Sequence, residues 1–249
     1  SGDSNTAVGE SALRSFSTGQ KNIAMGRNGL YSLKTGSDNT AIGYSAGKDT
    51  TTASQNTIVG ALAGENITTG GNNSLLGYQA GQAITDSTQN TIIGYNAGYN
   101  INGNSNTIMG FRAQYATAST GTENVTIGMQ AMRNATGSSN VAIGKDALYA
   151  VTGSNNVAVG KDAGKAITSA VKNTVVGYQA GDNITTGGYN VAIGTETAGI
   201  TTGSYNIVIG SQTGGGITTG RGKIIIGNDG GSGTTNDNNR EFLISNFDG

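Results

Sequence analysis

Hydrophobic and polar positions along the chain return at a fixed interval. Phrases such as "NTAIGYSAG" from Asn39, "NTIIGYNAG" from Asn90, "NVAIGKDAL" from Asn140 and "NTVVGYQAG" from Asn173 recur every 16–18 residues. The opening Asn falls at residues 5, 22, 39, 56, 73, 90, 106, 124, 140, 156, 173, 190 and 206, with Lys223 in the fourteenth slot. Four residues after every anchor stands a glycine, among them Gly43, Gly94, Gly128, Gly144, Gly177 and Gly194. Three after it comes a large apolar residue, as at Ile42, Ile93, Ile127, Ile143, Ile193 and Ile209, and one after it mostly Thr or Val. Side chains alternate along a strand, so these two positions share a face. A second apolar column lies about eleven after the anchor, at Leu33, Ile67, Ile84, Ile101, Val151, Ile167, Ile184 and Ile217. The unit reads as two short strands and two turns. Glycine twice per unit, with β-branched residues at the apolar sites, excludes a helix.

Short strands at a constant interval predict an all-β fold, a parallel β-solenoid of about fourteen coils over residues 1–227. A polar loop and a terminal strand follow over residues 228–249. Asn at a fixed coil position can build a ladder of side-chain amides. Gly128 and its counterparts are expected where the strand turns a corner, with positive φ or another backbone packed against Cα.

We assign the column three after the anchor (Ile42, Ile93, Ile127, Ile143, Ile193, Ile209) to the inside of the coil, as the structural core. The position two after the anchor then faces outward, yet it too is apolar, as at Ala41, Ile58, Leu75, Ile92 and Ile108, with only Thr126 polar. So long an exposed stripe is not expected of a monomer, and the chain is expected to pack against copies of itself.

Composition narrows the picture. The chain has 43 Gly, no Pro, Cys, His or Trp, and 12% charged residues. Disorder would bring Pro, charge and few β-branched residues, whereas here Ile, Val and Thr recur in register. Net charge is −1 with Lys and Arg unclustered, so no nucleic-acid partner is expected. No apolar run approaches the ~20 residues of a membrane helix, so no membrane insertion is expected. The start at Ser1, without an initiator Met or signal peptide, reads as a fragment or a processed chain.

Without His or Cys, the common nucleophile–base pairs and zinc sites are missing, and no catalytic residue, cofactor or metal is expected. Asp146 and Asp162 share a slot in adjacent coils, where Lys145 and Lys161 make them a charge ladder rather than an acid pair. The "NDGGSGTTNDNN" stretch from Asn228 offers oxygens for Ca²⁺ but reads better as a polar loop. The slot after the repeat glycine holds Tyr44, Tyr78, Tyr95, Phe111 and Tyr178. These rings are candidates for stacking on the sugars of a cell-surface glycan; the alternative is that they cover a coil corner or a seam between subunits.

"NTAIGYSAG", "NVAIGKDAL" and "NVAVGKDAG" resemble the head repeats of trimeric autotransporter adhesins. The longer form, linked by "TTGxxN", is similar to repeats in phage tail fibres of the intramolecular-chaperone (endosialidase-type) class. "REFLISN" from Arg240 resembles the segment that precedes the chaperone domain in such fibres. The resemblance implies a homotrimer of left-handed parallel β-rolls. The expected function is a structural and adhesive segment of an extracellular fibre, on a phage tail or a bacterial surface, that attaches to a glycan or protein receptor. The alternatives are an ice-binding solenoid, suggested by "ITT" at Ile67, Ile184 and Ile217, and a polysaccharide-degrading tailspike.

Overall fold

Each anchor Asn leads into a short strand. The computed structural model describes residues 2–115, 119–228 and 242–245, and the chain divides into two units, Ser1–Asn124 and Val125–Gly249. Among the described residues, the first unit holds β1 (Thr6–Val8), β2 (Ile23–Met25), β3 (Thr40–Ile42), β4 (Thr57–Val59), β5 (Ser74–Leu76), β6 (Thr91–Ile93) and β7 (Thr107–Met109). The second holds β8 (Val125–Ile127), β9 (Val141–Ile143), β10 (Val157–Val159), β11 (Thr174–Val176), β12 (Val191–Ile193), β13 (Ile207–Ile209), β14 (Ile224–Gly227) and β15 (Phe242–Ser245).

Within each unit, successive strands pair in parallel and in register, as in Thr40↔Thr57 and Ile42↔Val59, or Val141↔Val157 and Ile143↔Val159. This is a β-solenoid, one coil per repeat. The terminal strand β15 pairs in parallel with β14. The rest of the 228–249 segment, from residue 229 and including most of the expected polar loop, lies outside the described residues apart from β15.

The coil carries one strand where the sequence reading expected two. The backbone leaves the extended region on both sides of each three-residue run. The residue before the anchor is left-handed, as at Asp38 (φ 58) and Lys172 (φ 58), and so is the residue six after it, as at Ser45 (φ 53) and Asp162 (φ 58). Left-handed backbone costs a non-glycine residue about 1–2 kcal/mol. Inter-coil hydrogen bonds offset this: the Asp38 N–H donates to the Gln20 carbonyl at 2.9 Å and the Ser45 N–H to the Arg27 carbonyl at 2.8 Å.

The repeat glycine closes the strand. All fourteen have φ between 125 and 155, a region L side chains rarely adopt. At Gly128 a Cβ would also lie 2.6 Å from the carbonyl oxygen of Gly144 in the next coil. Within each unit the repeat-glycine N–H groups form a ladder, as in Gly60 N–H to the Ile42 carbonyl at 2.8 Å and Gly177 N–H to the Val159 carbonyl at 2.8 Å.

The core is the column two after the anchor, which corrects the sequence assignment. Ala41, Ile58, Ile92, Ile108, Ala142, Val175 and Val208 are fully buried. Ile42, Ile143 and Ile193 are exposed, and Ile93, Ile127 and Ile209 are half-buried on that same outer face. The two faces are exchanged. The reason lies in the anchor: its Asn is buried in a ladder, and a period of two puts the residue two further on beside it. The column eleven after the anchor is buried as expected, from Leu33 through Ile217.

A second sequence signal pointed the same way. Among the described residues, five coils match a large residue two after the anchor with glycine eight after it, Ile58/Gly64, Leu75/Gly81, Ile92/Gly98, Val175/Gly181 and Val208/Gly214, while Ile108/Gln114 departs from this. Where it is alanine, leucine can fill the space, as in Ala24/Leu30 and Ala142/Leu148. Positions that trade volume in these coils face one interior, although Ala41/Gly47 and Ala158/Gly164 are small at both. A Cβ at Gly64 would meet Leu75 Cδ1 at 2.8 Å, so the trade also reaches across coils.

Candidate interaction surfaces

The outer face of the strands is apolar in both units. Val8 is 53% exposed, Leu76 50%, Met25 41% and Ile42 39% in the first unit, with Ile193 39% and Ile143 36% in the second. Each belongs to the register of its neighbours, so each unit carries a continuous apolar ridge flanked by the Thr or Val column one after the anchor. A parallel strand buried on both faces reads as an apolar run, whereas an exposed face ordinarily reads polar.

The anchor ladder runs beneath that face. The Asn39 side-chain N–H₂ donates to Asn22 Oδ1 at 3.0 Å and to the Ala53 carbonyl at 2.9 Å, while its backbone N–H donates to the same Oδ1 at 3.0 Å. Asn173 repeats this with Asn156 Oδ1 and the Gly187 carbonyl. Both partners are buried, so the ladder satisfies groups that would otherwise be costly.

The predicted aromatics are all exposed at the corner after the repeat glycine: Tyr44, Tyr78, Tyr95, Phe111 and Tyr178. The structure brings three of them into one column. Tyr78 stacks on Tyr95 at 5.2 Å between centroids, and Tyr95 on Phe111 at 5.5 Å. Both faces of Tyr95 are therefore taken, and Lys161 covers a face of Tyr178 at 4.9 Å. Such pairs contribute about 0.5–1.5 kcal/mol each. These contacts hold the corner together and occupy ring faces on which a sugar would stack, while Tyr44 stands outside the column.

Asp146 and Asp162 sit in a charge ladder. Lys165 contacts both, at 2.9 Å from Asp162 and 3.9 Å from Asp146, and Lys161 pairs with Asp162. Burial alone would push the Asp162 carboxyl up, but hydrogen bonds from Lys161 and Lys165 outweigh it and hold the group below its ordinary range. A carboxyl held ionised in this way is a poor general acid. Asp182 moves the other way, raised by burial and by the nearby Glu196 and Asp162 charges. Among the described residues no group of three or more Asp and Glu could hold a metal ion, and no helix is long and apolar enough to cross a membrane.

The threonine tracts form ranks whose first hydroxyl is engaged. Thr68 Oγ1 donates to the Thr85 carbonyl at 3.1 Å, Thr168 to Thr185 at 3.1 Å and Thr185 to Thr201 at 2.9 Å. Only the following residue of each tract offers a free-standing hydroxyl, which narrows the face an ice-binding reading needs.

The sequence reading missed one surface. In the second unit a groove of about 470 Å³ is lined by Thr186, Thr202 and Thr219 together with Tyr189, Tyr205 and Arg221. Its signal was present: Tyr189 and Tyr205 precede successive anchors. Comparisons of the chain with protein-family models, curated proteins and solved structures return no match.

Proposed function

We propose that this chain is a self-associating shaft segment of an extracellular fibre, on a phage tail or a bacterial surface, that helps attach it to a cell surface. The finer reading is a homotrimer of left-handed β-rolls. One observation carries it: the outer face of the strands is a ridge of Val, Ile, Leu and Met in both units, exposed in a single chain. Exchanging the two faces strengthens this reading. The outward column contains no alanine, whereas six of the fourteen residues in the column first assigned to the outside are alanine. Apolar surface of that extent is covered in a stable protein, and a repeating ridge best matches the same ridge on another copy. Three copies would present identical surfaces on one stiff support, which favours multivalent attachment. The proposed shaft works by binding and mechanical support rather than by catalysis.

Light scattering at micromolar concentration is expected to give three times the 24.9 kDa chain mass. A stable folded monomer would overturn the proposal. The double variant Ile42→Lys/Ile143→Lys should shift the species toward monomer while circular dichroism stays that of a β-rich chain.

A further inference from the structure

We infer that the groove of the second unit is a binding site for a linear acidic polysaccharide. The inference gives the attachment reading above a place and a ligand class, and rests on it. The groove draws on four successive coils, from Ser169 in the first to Thr219 and Arg221 in the last. With coils about 4.8 Å apart, three steps span roughly 14 Å. Along that length each coil offers an equivalent hydroxyl, from Ser169, Thr186, Thr202 and Thr219 in turn. A ligand that meets such a surface well is itself an extended chain of repeating, hydroxyl-rich units.

Arg221 sets the charge of the lining, at the end of a column that begins with Lys172 beside the groove. Lys172, Tyr189, Tyr205 and Arg221 form a column: Lys172 lies 5.0 Å over Tyr189, the two rings stack at 4.7 Å, and Arg221 lies 4.7 Å over Tyr205. Both faces of both rings are covered, so the rings present edges and phenol groups to the groove. Arg221 enters none of the ion pairs formed among the described residues, and no carboxylate lines the groove. A guanidinium held flat on a ring keeps its edge donors free, and those donors fit a carboxylate in a two-point contact. The sugar carboxylate is the group that the lining leaves unsupplied.

Other polymers fit less well. Single-stranded nucleic acid needs open ring faces for its bases and a longer run of cations for its phosphates. A protein partner brings buried apolar anchors, and apart from the rings Val171 is the one large apolar residue of this lining.

Calorimetric titration of the full chain tests the site. Hexagalacturonate and hexamannuronate serve as acidic probes, with maltohexaose as the neutral control and oligothymidylate as the nucleic-acid control. Saturable, salt-sensitive binding of at least one acidic hexamer is expected, well above that of maltohexaose. Arg221→Gln should weaken it by about 10- to 100-fold, and Thr202→Val by a smaller factor, with melting temperatures unchanged. Absence of saturable binding to both acidic hexamers, equal binding of maltohexaose, tighter binding of oligothymidylate, or full affinity in Arg221→Gln would each overturn the inference. Light scattering on the same samples separates the two readings. An oligomer without saccharide binding defeats the groove alone, and a monomer that binds the acidic hexamer defeats the shaft alone.

Discussion

At the residue scale, the anchor Asn and the repeat Gly bear the strictest demands. Asn173 gives two hydrogen bonds to Asn156 Oδ1 and one to the Gly187 carbonyl, and accepts two from Asn190. Asn173→Ala would leave the Gly187 carbonyl and the Asn190 donors buried without partners, each at about 1–3 kcal/mol. A loss of several kcal/mol is expected in denaturant melts, with faster hydrogen exchange in the adjoining coils. Gly128→Val would force a β-branched residue to φ 132 and against the Gly144 carbonyl. Such strain costs of order 1–3 kcal/mol before the clash is counted, so the melting point should fall; wild-type stability would contradict the corner geometry. Asp162 sets an acid limit. Its folded carboxyl titrates below the unfolded one, so it stabilises the fold above about pH 4 and loses that contribution as pH falls through the depressed value. Asp162→Asn should lower the melting temperature at neutral pH and flatten its decline in acid.

At the scale of the element, the question is which face of a three-residue strand is inside. Strand β6 buries Ile92 fully, while Ile93 and Thr91 look outward. Ile92→Asn would forfeit about 1.5–3 kcal/mol of burial and strand an amide in an apolar interior. Ile143→Asn, on the outer face of β9, should cost far less in the intrinsic stability of the unit. The reverse order in denaturant melts would show the faces to be as first assigned. The assignment was available from the sequence: the anchor Asn and the residue two after it share a face, and the volume trade between Ile58/Gly64 and Ala24/Leu30 marks a common interior.

For the molecule as a whole, the proposed self-association through the exposed ridge would couple stability to assembly. If copies cover each other's ridges, the melting temperature must rise with protein concentration, because association draws on the folded state. A dilution series from about 50 μM to 0.5 μM is expected to lower it steadily in the wild type and much less in Ile42→Lys/Ile143→Lys. A concentration-independent melting point in the wild type would argue against the shaft reading.

The sequence by itself determined the repeat, its 16–18-residue period, the parallel in-register stacking and the positions of glycine, because period and residue type are local properties that every coil states again. It also determined that chemistry by His or Cys is unavailable. The tertiary structure decided what depends on neighbours across coils: which strand face is buried, that the aromatic rings of Tyr78, Tyr95 and Phe111 spend their faces on one another, and that Thr186, Thr202, Tyr205 and Arg221 meet around one groove. The groove residues stand in two columns spread over three coils, and only the turn of the backbone through its left-handed positions brings those columns side by side.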